Sequence, residues 1–227
     1  MKPKQTIMFS VLILVTMLAC SAVSNFMATP TPVPTQTPIP SPTPDAVLFE
    51  DSEFASSCNA ESTTDVDRFV ENGQFNLLVK TPKYVGWSEC TQVEFSDIIL
   101  EADAAQVAGP DNNMYGVLFR YGLDSDDFYI FAITGEGFYI LAIDGAKHDE
   151  LEIIVDWTES SAINKGQQTN HIKVVAIGGN IQYYVNDQLL GEAQDARLTT
   201  GTIGFFVGST EEGGVQVSFD NLKISKP

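Results

Sequence analysis

Beyond residue 45 the chain is written in short apolar runs separated by turn residues. Runs rich in aromatic and β-branched residues predict strands at Val47–Glu50, Asp67–Glu71, Gln74–Lys80, Phe95–Val107, Met114–Tyr121 and Phe128–Thr134. They recur at Gly137–Ile143, Leu151–Val155, His171–Ile177, Ile181–Val185, Gly201–Gly208 and Val215–Ser225. Turn chemistry lies between them: Glu71-Asn72-Gly73, Asp124-Ser125-Asp126, Gly135-Glu136-Gly137, Gly178-Gly179-Asn180, Asn186-Asp187 and Gly213-Gly214. Glycine and asparagine supply the positive φ that tight hairpins need. No stretch holds a long 3.6-residue period, so helix is confined to short turns, around Ser160–Asn164. Tyr115–Tyr121 and Phe128–Ile133 are apolar on both faces, which predicts central strands with one side in the core and the other in a groove or under loops. About a dozen antiparallel strands make an all-β sandwich or barrel, and such two-faced strands favour two packed sheets.

The first forty-five residues follow different rules. Lys2 and Lys4 precede an apolar run from Ile7 to Ala19, which ends at Met17-Leu18-Ala19-Cys20. A basic start, a short apolar stretch and a small residue before the cut predict a secretory signal peptide over residues 1–19. The run is short for a bilayer span. A cysteine directly after the small residue resembles the lipobox of bacterial lipoproteins, although methionine stands where leucine is usual. That resemblance implies lipidation of Cys20 and a cell-envelope protein held by its lipid. From Thr29 to Pro44 seven of sixteen residues are proline. Proline fixes φ and removes donors, so this segment predicts a disordered, extended stalk spanning on the order of 50 Å. The expected organisation is a signal peptide at 1–19, a lipidated cysteine and stalk at 20–45, and one domain at 46–227.

Charge and cysteines narrow the setting. The formal charge is −18, and removal of Lys2 and Lys4 with the signal peptide makes it more negative still. Such a chain repels nucleic acid and anionic lipid surfaces. With Cys20 lipidated, Cys58 and Cys90 remain, and an even pair in an exported chain predicts one disulfide. The loop it closes would stabilise the fold by about 3 kcal/mol.

The order of the segments Tyr115–Tyr121, Asp126–Ile133, Gly137–Leu141, Trp157–Asn164, Asn170–Asp187, Gly201–Val207 and Val217–Ile224 resembles the concanavalin A-like lectin/glucanase superfamily, closest to the laminin-G-like and glycoside-hydrolase-related domains of bacterial secreted proteins and lipoproteins. The resemblance covers about Val47 to Ser225 and implies a two-sheet antiparallel jelly roll. That fold hosts lectins, hydrolases and adhesion modules, so it does not fix function.

Family-sixteen-like glucanases on this fold carry E-x-D-x-x-E or E-x-D-x-E on one strand. Here Glu101 and Asp103 share a face, Ala105 stands where the second acid belongs, and Gln106 lies on the other face. Retaining hydrolysis needs two carboxyls about 5–5.5 Å apart. No G-x-S-x-G or H-E-x-x-H motif is present, and His148 and His171 read as surface or structural residues. No cofactor is implied. Sugar-binding jelly rolls of the kind this chain resembles can share a structural calcium between first and last strands, and the resemblance implies such a site at Asp220 with Glu50 and Asp51. Asp124, Asp126 and Asp127, crowded in one turn, are a second carboxylate set suited to a hard cation.

Sugar binding wants exposed aromatic platforms beside planar polar groups. Arg120, mid-strand between Phe119 and Tyr121, needs a partner or a wet groove, and Tyr129, Tyr139, Trp157 and Tyr184 are the aromatics expected near it. The leading expectation is a surface-anchored, non-catalytic lipoprotein that binds carbohydrate. An extracellular protein is the alternative partner, and a glycosidase with an unrecognised carboxylate pair is the third reading.

Overall fold

A computed structural model describes residues 46–145 and 151–227. The predicted signal peptide, Cys20, the predicted stalk and His148 lie outside the described residues. Fourteen strands and no helix make up what is described. In chain order they begin with β1 (Val47–Asp51), β2 (Val66–Glu71), β3 (Gln74–Val79), β4 (Val85–Glu89), β5 (Ile98–Ala108), β6 (Met114–Tyr121) and β7 (Phe128–Thr134). They continue with β8 (Phe138–Asp144), β9 (Glu152–Glu159), β10 (Asn170–Ile177), β11 (Asn180–Val185), β12 (Gln188–Gln194), β13 (Thr202–Gly208) and β14 (Val215–Ser225).

Two antiparallel sheets form a sandwich. The first runs β12-β11-β10-β5-β14-β3-β2, with β1 also paired to β14. The second runs β4-β13-β6-β7-β8-β9. Strand alternation sorts the first sheet cleanly. Leu100, Ala102 and Ala104 of β5, Ile172 and Val174 of β10, and Val217 and Phe219 of β14 enter the core. Across the core, Phe205 of β13 stacks on Phe219 with ring centroids 4.1 Å apart, and Phe75 and Phe54 join them. At the other half Phe131 of β7 meets Tyr183 of β11 at 5.3 Å.

The second sheet has a further apolar layer on its outward side. Leu118, Tyr121, Phe128, Ile130, Ala142 and Phe206 are buried there, with Trp87, Met114 and Leu151 packed against them. This is why its strands read apolar at both parities. The expected disulfide joins Cys58 and Cys90 and ties the segment after β1 to the end of β4.

Two strands escape the sequence pattern. β4 carries Gly86, Trp87 and Ser88 in place of a β-branched run. It forms because Phe206 and Trp87 pair in register on the outward side. β12 is polar and carries Gly191, but it pairs along β11, where a Cβ at 191 would collide with the Tyr183 hydroxyl. The expected helical turn at 160–164 is an irregular turn, and β9 runs on past Val155 to Glu159, which places Trp157 within a strand.

Candidate functional site

The five residues expected to gather around a ligand do not converge, because strand alternation sends them to three different places. Arg120, Tyr129 and Tyr139 are buried, the last two within the main core. Arg120 sits at a bulge in the left-handed region with φ 53°, and its guanidinium donates to the carbonyls of Leu198 at 2.8 Å and Ser96 at 3.3 Å. Burial lowers its pKa. The partner this arginine needed is backbone, not a wet groove. Tyr129 stacks on Phe119 at 5.3 Å, donates to Asp195 at 2.7 Å, and receives the Leu198 N–H. Burial, first among the causes, pushes its phenol up to about 12. Tyr139 packs between Phe131 and Tyr183.

Tyr184 lies on the opposite sheet's outward face with Ile99 and Val175. Its hydroxyl donates to Gln182 at 2.9 Å, and the Lys173 ammonium stands 5.6 Å from its ring centroid. Trp157 alone of the five is open, with 43% of its surface exposed.

Glu101 and Asp103 also point outward from the first sheet. Antiparallel register sets His171 opposite Asp103 and Lys173 opposite Glu101. His171 Nδ1 lies 2.8 Å from Asp103, its Nε2 lies 3.7 Å from Glu101, and Lys173 Nζ lies 3.4 Å from Glu101. Asn221 donates to the second oxygen of Asp103 at 2.8 Å. Hydrogen bonding to Glu101, then to Asp103, lifts His171 to about 9, against the opposing effect of burial. The same contact with His171 holds Glu101 below the usual carboxylate range. A general acid needs a carboxyl whose pKa is raised, and Glu101 is moved the other way.

The calcium sets fare similarly. Asp51 accepts the backbone N–H groups of Glu53 and Phe54, Asp220 is engaged by Gln74 and by the Asn221 N–H, and Glu50 pairs in register with Lys223. Asp126 accepts from the Tyr121 hydroxyl. Among the described residues no group of three or more Asp, Glu, His or Cys side chains is placed to hold a metal ion.

Two cavities bear on ligand binding. One of about 670 Å³ lies beside the disulfide, walled by Phe49, Asp51, Asn59, Glu89 and Gln92 among others. Asn59 donates to the Glu89 carboxylate at 3.0 Å and ties that wall together. The other, of about 270 Å³, lies at one end of the second sheet and is lined by Asn112, Thr134, Glu136, Phe138, Trp157 and Thr210. Apart from Trp157, none of those six stands out in the sequence. They meet because the β5–β6, β7–β8 and β13–β14 connections and the end of β9 fall at one edge of the sheet, an adjacency that appears only once strand order is known.

With the fold in place, the architecture is that of a concanavalin A-like jelly roll. Its solved neighbours include the carbohydrate-binding module CBM66 from Bacillus subtilis, with TM-score 0.60 and 15% identity over 75% of this chain and 96% of that one. A Bacillus licheniformis β-glucanase follows at TM-score 0.57 and 11% identity, covering 79% of this chain and 98% of its own. A Bacteroides ovatus mixed-linkage glucan GH16 enzyme, solved with a product, gives TM-score 0.56 and 10% identity over 78% and 99%. No family model and no curated protein matches the chain.

Proposed function

We propose that this protein is a lipid-anchored module of a bacterial cell surface that binds carbohydrate without hydrolysing it. The neighbours on this fold divide into a binding module and glucan hydrolases, so the fold alone does not choose between them. The fate of the carboxylates carries the choice. Glu101 and Asp103 are held by His171, Lys173 and Asn221 on the outward face of the first sheet, and Ala105 follows them. Ala105 stands where the glucanase pattern puts its second acid, and His171 holds Glu101 below the range a proton donor needs. The sequence of the Lys2/Lys4–Cys20 segment and the proline-rich run from Thr29 to Pro44 supports the address, since an extended run of that composition would serve as a spacer between a lipid anchor and the domain.

The test is a glycan array on the full-length protein, with a parallel assay for released reducing ends. Binding without new reducing ends supports the proposal. Silence across the array turns the reading toward an extracellular protein partner, and turnover that disappears on Glu101→Gln would make the chain a glycosidase.

A further inference from the structure

The cavity at the end of the second sheet has the composition of a sugar site. Its lining combines an indole and a phenyl ring with an amide, two threonines and a carboxylate. A pyranose has an apolar C–H face and a rim of hydroxyls, and the lining holds residue types that suit both. The Trp157 side chain is open although most large apolar side chains of the strands are buried. An exposed indole carries an uncompensated cost of apolar hydration, which a stacked ring removes.

The walls are fixed before any ligand arrives. The Thr210 N–H donates to Asn113 Oδ1 at 2.8 Å, and its hydroxyl donates to Asn112 Oδ1 at 3.3 Å and Asn113 Oδ1 at 3.1 Å. Glu136 N–H donates to the Asp111 carbonyl, and Gly137 N–H to that of Thr134. Phe138 N–H donates to the Thr134 hydroxyl at 3.2 Å. Beneath them, buried Gln106 donates to the carbonyls of Gly109 at 3.0 Å and Pro110 at 2.7 Å and so anchors the β5–β6 turn. Three connections from distant parts of the chain are thus locked around one indole. A preformed pocket loses less freedom on binding than a flexible one.

Charge selects within the sugars. Among the described residues, Glu136 is the one ionisable group in the lining and no cation lines it. Lys165, near Gly137, is already paired with Glu159 at 3.1 Å. Set in a chain of net charge −18, this lining repels uronates and sulfated glycans.

Resting on the carbohydrate reading above, we infer that the Trp157 pocket is the glycan subsite and that it takes a neutral hexopyranose stacked on the indole. The measurement is isothermal calorimetry of the full-length protein with soluble β-glucan, levan and galactan as neutral probes and polygalacturonate and alginate as acidic ones. The inference expects binding of at least one neutral probe and none of the acidic ones. Trp157→Ala should weaken it by about tenfold or more, Asn112→Ala by less, and Trp157→Tyr should keep most of it. Leu189→Ala, exposed on β12 of the other sheet, should bind as the natural protein does. Thermal melts of the variants should coincide, because Trp157 is a surface position. Tight binding that survives Trp157→Ala would place the site elsewhere while leaving the carbohydrate reading intact. Preference for the acidic probes would overturn the assigned ligand class. Failure of the natural protein to bind any glycan would remove both the reading and the site.

Discussion

Apart from the small Ile99–Val175–Tyr184 cluster on the first sheet, the outward faces of the two sheets are chemical opposites. On the first sheet, Glu101, Asp103, His171, Lys173, Asn76, Gln216 and Ser218 form cross-strand pairs. On the second, Leu118, Phe128, Ile130 and Phe206 form a buried apolar layer. One face is held by partially solvated charge, the other by packing. The contrast teaches where this fold tolerates change. A solvated ionic lattice loses little when one member goes, whereas an apolar layer loses packing that nothing replaces.

Three changes sharpen that contrast, from the largest effect to the smallest. Phe128 lies against Trp87, Tyr121 and Phe206. Phe128→Ala should cost about 3–5 kcal/mol in denaturant unfolding, the range for a large buried aromatic. Reduction of Cys58–Cys90, which spans a separation of 32 residues, should cost about 3–4 kcal/mol by loop-closure entropy. Equal melting curves with and without reductant would contradict it.

On the charged face the effect is smaller and depends on pH. The folded pKa of His171 is raised from 6.5 to about 9, so the folded state holds its proton more tightly than the unfolded chain. The stability it contributes is full below about 6.5 and is lost as pH rises through about 9. Partial exposure screens this, leaving on the order of 1 kcal/mol. Asp103→Asn should lower the His171 pKa, read by NMR titration of the ring, with only a small change in unfolding free energy. A His171 pKa that stays near 9 in that variant would assign the shift to Glu101 alone.

The same contrast explains what was legible in the sequence. Strands of the first sheet with one wet face, such as Leu100–Ala104, announce both their period and their inward side. β6 and β7 announce that they are central, but apolar residues at both parities hide which side faces the core. Arg120 illustrates the consequence. Its place between two aromatics reads as the lining of a groove, yet a bulge with φ 53° turns it onto backbone carbonyls. The missed strands β4 and β12 lie at sheet edges, where pairing along one neighbour outweighs weak β propensity. The Cys58–Cys90 bridge was legible because an even pair of cysteines remains once Cys20 is set aside. Trp157 was singled out as an aromatic; its companions Asn112, Glu136 and Thr210 belong to connections that only topology brings together.

The most direct test of the central claim is to expose the full-length protein to a broad array of neutral and acidic glycans and to analyse the bound glycans for cleavage. The account predicts retention of neutral glycans with every linkage intact. Retention of none, or recovery of shortened chains, would contradict it.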